Sequence, residues 1–213
     1  MMKELIFLFI VTLALSQYVV GETINLPAIR DVYISSTPNP EVYNSNTLKF
    51  MSVQSDPFSG PSGVYTPYIQ FDISNVDLSG GRRAYVLLTP EERLSDDINT
   101  IMISTTGTQW NERSNAFDFI NVMLSGPSNP AFGGLDYSSE GKIINSDSGE
   151  TVQFDVTDII TELRDKGDDR VSFSVYLDCS GGCQAKFYSR ETGERGPVMV
   201  ILDYNDIKKT IAQ

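Results

Sequence analysis

Hydrophobic and polar positions alternate along most of this chain. Val171, Phe173, Val175 and Leu177 take turns with Ser172, Ser174 and Tyr176, the two-residue period of a strand with one dry and one wet face. Val32 and Ile34 alternate with Asp31, Tyr33 and Ser35, and Tyr65, Ile69, Phe71 and Ile73 with Thr66, Tyr68, Gln70 and Asp72. Pro67 marks the latter strand as an edge or a bulge, because proline cannot donate to a ladder. The apolar run Ala84–Leu88 predicts a strand buried on both faces, and Thr47–Val53, Ile98–Thr105, Thr151–Asp155, Gln184–Ser189 and Val198–Tyr204 supply the remaining strand-like runs. One helix is expected after them. Asp155 or Thr157 serves as its N-cap, Ile159, Ile160 and Leu163 form its apolar face, and Gly167 stands where a C-terminal cap belongs. Residues 22–29 read as a lead-in ending at Pro27, and Ser125–Gly149, rich in Gly, Ser, Asn and Pro, as one long loop. Nine or ten short strands with one short helix predict an all-β sandwich over residues 22–205, followed by a polar tail, 206–213.

The beginning of the chain is of another kind. Met1-Met2-Lys3-Glu4 precedes an apolar run from Leu5 to Leu15, and Val19-Val20-Gly21 offers small residues for a signal peptidase. A membrane-spanning helix needs about 20 apolar residues, and Ser16 and Gln17 interrupt this run. Residues 1–21 are therefore expected to be a signal peptide, and the mature protein to be secreted, extracellular or at the cell surface, with no transmembrane segment. The roughly 190 residues that follow suit one sandwich rather than two domains.

Composition narrows the chemistry. With 28 acidic residues against 16 basic, the net charge is −12, which disfavours nucleic acid as a partner. There is no histidine, so Ser-His-Asp and Cys-His catalysis and His-ligated zinc are excluded. Carboxylate-pair glycoside cleavage survives, with Glu91-Glu92 as its candidates; the reading favours no enzyme. The two cysteines, Cys179 and Cys183, bracket Ser180-Gly181-Gly182. Their even count and close spacing in a secreted chain predict a disulfide that fixes a turn.

The last strands carry a family likeness. Phe187-Tyr188-Ser189-Arg190-Glu191, then Pro197-Val198-Met199-Val200 and Tyr204, resembles the ending of DNRLRE domains, carbohydrate-binding module family 96. Asp31-Val32-Tyr33-Ile34, Tyr43-Asn44, Tyr68 to Ser74, Ala84 to Leu88, Trp110-Asn111-Glu112 and Phe154-Asp155-Val156-Thr157 resemble further segments of the family, in its order. The chain departs from it in the length of Ser125–Gly149 and in having Phe119, Ile120 and Asn121 where the family has a Trp-Asn pair. The resemblance implies a jelly-roll β-sandwich that binds acidic or neutral polysaccharide without catalysis. The alternative is a structural extracellular-matrix or surface-layer protein that assembles through protein contacts.

A sugar site needs flat aromatic faces and planar polar side chains. Trp110, Asn111, Glu112 and Arg113 supply that composition, with Tyr68 and Arg83 as further candidates; Trp110 as a plug of the core is the competing reading. Tyr65 and Tyr68, three residues apart on one strand, face opposite ways. Lys49, Arg82, Arg83 and Lys186 could form a shallow basic face for an acidic glycan. Arg190 could bind a uronate carboxylate, but an ion pair with Glu191, Asp72 or Asp155 is the stronger expectation. No cofactor is required; structural calcium has its candidates in Asp31, Asp96-Asp97 and Asp168-Asp169.

Overall fold

The computed structural model describes residues 23–35, 41–44, 50–55, 65–113, 138–146, 149–179 and 182–203. The expected signal peptide, the polar tail, Lys49 and the segment 119–121 lie outside the described residues. Twelve strands occur within them: β1 (Ile24–Pro27), β2 (Arg30–Ser35), β3 (Glu41–Asn44), β4 (Phe50–Ser55), β5 (Tyr65–Asp72), β6 (Arg83–Leu88), β7 (Ile98–Thr106), β8 (Ser138–Ser146), β9 (Gly149–Asp155), β10 (Arg170–Cys179), β11 (Cys183–Tyr188) and β12 (Val198–Leu202). One α-helix, α1 (Thr157–Asp165), joins β9 to β10.

The strand order is β1-β12-β6-β9-β8-β7-β10-β5-β2-β3, with β11 paired to β4 and β4 meeting β5 at Gln54↔Tyr65. The described ladders are antiparallel, and the sheet curls into an all-β sandwich around its main core. Phe71, Phe173, Val175 and Ile103 from one layer meet Val86, Phe154, Met199 and Ile201 from the other in that core. Burying such side chains stabilises by about 1.5–3 kcal/mol each.

β8 is the strand that turns the corner. Its first residues, Ser138 to Glu140, pair with β7, and its remainder, Gly141 to Ser146, pairs with β9. At the switch stands Gly141, where a Cβ would lie 2.5 Å from Val152 Cγ1 and 2.7 Å from Phe154 Cε1. Only a residue without a side chain lets the strand cross so close to the core.

Three strands lie where the alternation marked none; one is β3, which pairs with β2 at Tyr33↔Tyr43. β1 lies in the lead-in, where its register Ile24↔Ile201 holds it on β12. β8 lies within Ser125–Gly149, so that segment is not one loop. Its polar composition hid a strand because Ile143 and Ile144, facing opposite ways, are both exposed, 49% and 41%. Pro67 is not on an edge either: β5 runs between β2 and β10. The ladder to β10 stops at Tyr68↔Ser174, one residue short of the proline, so the missing donor interrupts no bond there.

The helix lies where the sequence predicts it, but its N-cap is Val156, with no side-chain capping bond, rather than Asp155 or Thr157. Asp155 Oδ1 accepts the Thr157 N–H at 3.1 Å and its hydroxyl at 2.7 Å. Ile159, Ile160 and Leu163 are buried. Gly167, at φ +85°, lets the chain reverse while Asp168 N–H reaches back to the Leu163 carbonyl at 2.9 Å. Cys179 and Cys183 form the expected disulfide between β10 and β11. No helix of the described residues is long and apolar enough to cross a membrane.

Candidate functional site

The two aromatic candidates are not available to a ligand. Trp110 is 3% exposed and Tyr68 1%, and with Val32 they make a small second core on the outer face of the β2-β5-β10 layer. Their rings meet edge to face, 6.5 Å between centroids. Trp110 Nε1–H donates to Ser172 Oγ at 3.1 Å, and its carbonyl accepts from Arg30 Nη1 at 2.6 Å. Gln70, fully buried, donates from Nε2 to the Thr108 carbonyl and to Ser172 Oγ, at 2.9 and 3.0 Å. The loop that carries Trp110 is thus a lid bonded down onto the sheet. Burial pushes the Tyr68 hydroxyl far above its ordinary value, the nearby Tyr176 adding to the shift.

The residues after Trp110 divide between surface and scaffold. Asn111 and Arg113 are exposed, and Asn111 Oδ1 accepts the Arg113 N–H at 2.9 Å in a local turn. Glu112 turns inward to Arg190, receiving Nε at 2.9 Å and Nη2 at 3.1 Å. Arg190 also pairs with Glu191 at 3.0 Å and lies 3.8 Å from Asp31, whose Oδ2 accepts the Arg190 backbone N–H at 2.8 Å. The expected partners Asp72 and Asp155 are elsewhere. Asp72 is bound by the Ser74 hydroxyl and N–H, which hold its carboxyl below the ordinary value. Asp155 pairs with Arg83 at 3.0 Å and accepts the Thr157 hydroxyl just ahead of α1. Sequence spacing could not reveal this because Glu112 is 78 residues from Arg190.

Asp31, Glu112 and Glu191 bring carboxylate oxygens within 4.8 Å of one another, a spacing that would suit a divalent cation. The Arg190 guanidinium stands among them and already supplies a countercharge, so the cluster works as a fastening of β2, the Trp110 loop and the turn Arg190–Arg195. Gly196 closes that turn where a Cβ would lie 2.7 Å from the Arg190 Cα.

Among the described residues, two surfaces place an aromatic group in reach of a ligand. One is a cleft of about 310 Å³ lined by Glu91, Glu92, Arg93, Glu150, Tyr188 and Arg195, among others. Its tyrosine is already engaged: the Arg195 guanidinium lies over the Tyr188 ring, 5.2 Å from the centroid, and Nη1 donates to the hydroxyl at 3.0 Å. The other surface is the outer face of β10, β7 and β8. Tyr176 stands 41% exposed, opposite Met102, 37% exposed, which in turn lies opposite Glu140. Register partners share a face, so the three form a row across the sheet. The Ser174 hydroxyl donates to the Tyr176 hydroxyl at 2.8 Å and fixes the ring. Ser104 and Ser138 continue the row above it, and Asp178 with Thr100 forms the row below. The alternation of β10 had marked this face as wet. What it could not show is that the Trp110 lid covers Ser172 and leaves Tyr176 open.

A family model described as carbohydrate-binding module family 96 matches residues 22–203. A search of curated proteins returned no match.

Proposed function

Because the chain belongs to carbohydrate-binding module family 96, we propose that it is a secreted, non-catalytic module that binds polysaccharide on the Tyr176 face. Family membership carries the carbohydrate reading; the exposed tyrosine beside Met102 is the observation that favours this face. A pyranose presents a flank of C–H groups that stacks on such a surface, while its hydroxyls need acceptors and donors at the rim. Glu140, Asp178 and Thr100 supply them in adjacent rows of the sheet. The ring's hydroxyl, bonded to Ser174, keeps the platform preorganised and lowers the entropy lost on binding. Secretion, with residues 1–21 as the signal peptide, belongs to the same reading.

Retention of the purified protein on a panel of polysaccharides tests it. At least one glycan should retard the protein, and Tyr176→Ala should weaken that retention about tenfold, the loss of one aromatic contact, with no change in melting temperature. Retention by no glycan overturns the carbohydrate reading. Retention untouched by Tyr176→Ala moves the site elsewhere.

A further inference from the structure

We infer that the Cys179–Cys183 disulfide is a redox clasp on a seam in the sandwich, and that a small-molecule or protein dithiol opens the seam from that end. The carbohydrate reading is not needed for it. β10 pairs with β5 from Arg170↔Asp72 to Ser174↔Tyr68 and then leaves it. Nearer the start of β5 its place is taken by β4, at Gln54↔Tyr65, and β4 carries β11 on its other edge, from Cys183↔Ser55 to Tyr188↔Phe50. Over residues 175–179, β10 is therefore laddered to β7, and among the described residues no ladder joins it to β4 or β11.

The two ends of β11 are held differently. At its far end the Tyr188 N–H donates to the Thr89 carbonyl at 3.0 Å, the Glu91 N–H donates to the Lys186 carbonyl at 2.8 Å, and Phe187 is fully buried. At its near end the disulfide is the covalent tie across the seam. Behind it stand Cys183 and Ala185, small side chains whose burial contributes little next to that of Phe187. The β10 ladder slips at the same place, between Asp178 and Cys179, so that Cys179 stands opposite Ile98. Cys179 is half-buried and Cys183 buried, so the sulfur open to attack is that of Cys179. One thiolate of the dithiol attacks Cys179 Sγ, forms a mixed disulfide there and expels Cys183 as a thiolate, which takes up a proton. The second thiolate then attacks the mixed disulfide, frees Cys179 as a thiol and leaves the reagent oxidised to its disulfide. Two electrons pass to the protein, and the near end of β11 keeps only its ladder to β4 and its small buried side chains.

Hydrogen exchange of the whole protein, oxidised and after treatment with dithiothreitol, tests the clasp, with alkylation confirming that both thiols are free. Amides of residues 53–55 and 183–185 should exchange roughly thirtyfold faster in the reduced protein, the chain-entropy value for opening so short a loop. Those of Phe187, Tyr188 and the β5–β10 ladder should keep their protection, and reoxidation should restore the slow rates. The double substitution Cys179→Ser and Cys183→Ser should show the reduced pattern without reductant. Unchanged exchange at 183–185 in the fully reduced wild-type protein overturns the inference. So does a loss of protection that spreads through β5 and β10, since the disulfide would then support the whole fold rather than one end of a seam.

Discussion

Arg190 grips Glu112 with two parallel hydrogen bonds, Nε to Oε1 at 2.9 Å and Nη2 to Oε2 at 3.1 Å. Lysine carries the same charge but has no planar fork. Arg190→Lys should therefore cost about 1–2 kcal/mol of stability in urea unfolding, because the half-buried carboxylates keep only part of their partner. Glycan retention by the folded variant should stay as in wild type, since the cluster is scaffold. Equal stability of the two proteins would show the pair to be energetically idle.

Trp110 closes a second core. Trp110→Ala should destabilise by about 3–5 kcal/mol, the range for emptying an aromatic site. Trp110→Phe keeps the bulk and loses the indole bond to Ser172, at a cost of about 1–3 kcal/mol. Thermal or denaturant unfolding of both checks the order; a near-neutral alanine variant would mean the lid is loose.

Gly141→Ala places a methyl group against Val152 and Phe154. Overpacking of this kind costs about 1–3 kcal/mol. Hydrogen exchange should show the loss concentrated in β8 and in its partners β7 and β9. Wild-type protection of β8 in the variant would contradict the close approach.

Alkali should unfold the protein through its buried phenols. Burial raises Tyr68 above its ordinary value of 10.0, Tyr176 adding to the shift, and burial likewise raises Tyr85, with Asp155 contributing. A group raised in the folded state gives its full stabilisation below the unfolded value and loses it as pH climbs beyond. The melting temperature should therefore hold up to about pH 9.5 and fall above about pH 10. Tyr68→Phe should flatten that fall; an unchanged slope would assign it to other groups.

Much of the sandwich is legible in local pattern. β10 follows its period-two alternation, and α1 follows its apolar face and its closing Gly167. β8 was illegible because an edge segment with exposed Ile143 and Ile144 presents no dry parity. The Trp110 reading turned on whether its loop folds back over β5 and β10, which depends on Gln70, Ser172 and Arg30. Those residues come together only when strands distant in sequence pair. Tyr176 differs from Tyr68 by neighbours, not by pattern, so burial separated them where alternation could not.

The pairing of β1 with β12 fixes where the chain comes and goes. Ile24 faces Ile201 across that ladder, so the path into the sandwich and the path out of it run side by side at one margin. The Tyr176 row belongs to the other layer and looks away from it. A neighbour joined at either end would attach at that same margin, on the layer opposite the Tyr176 row. On the proposed reading, a glycan laid along the Tyr176 row would touch the layer opposite the one that holds the first and last strands.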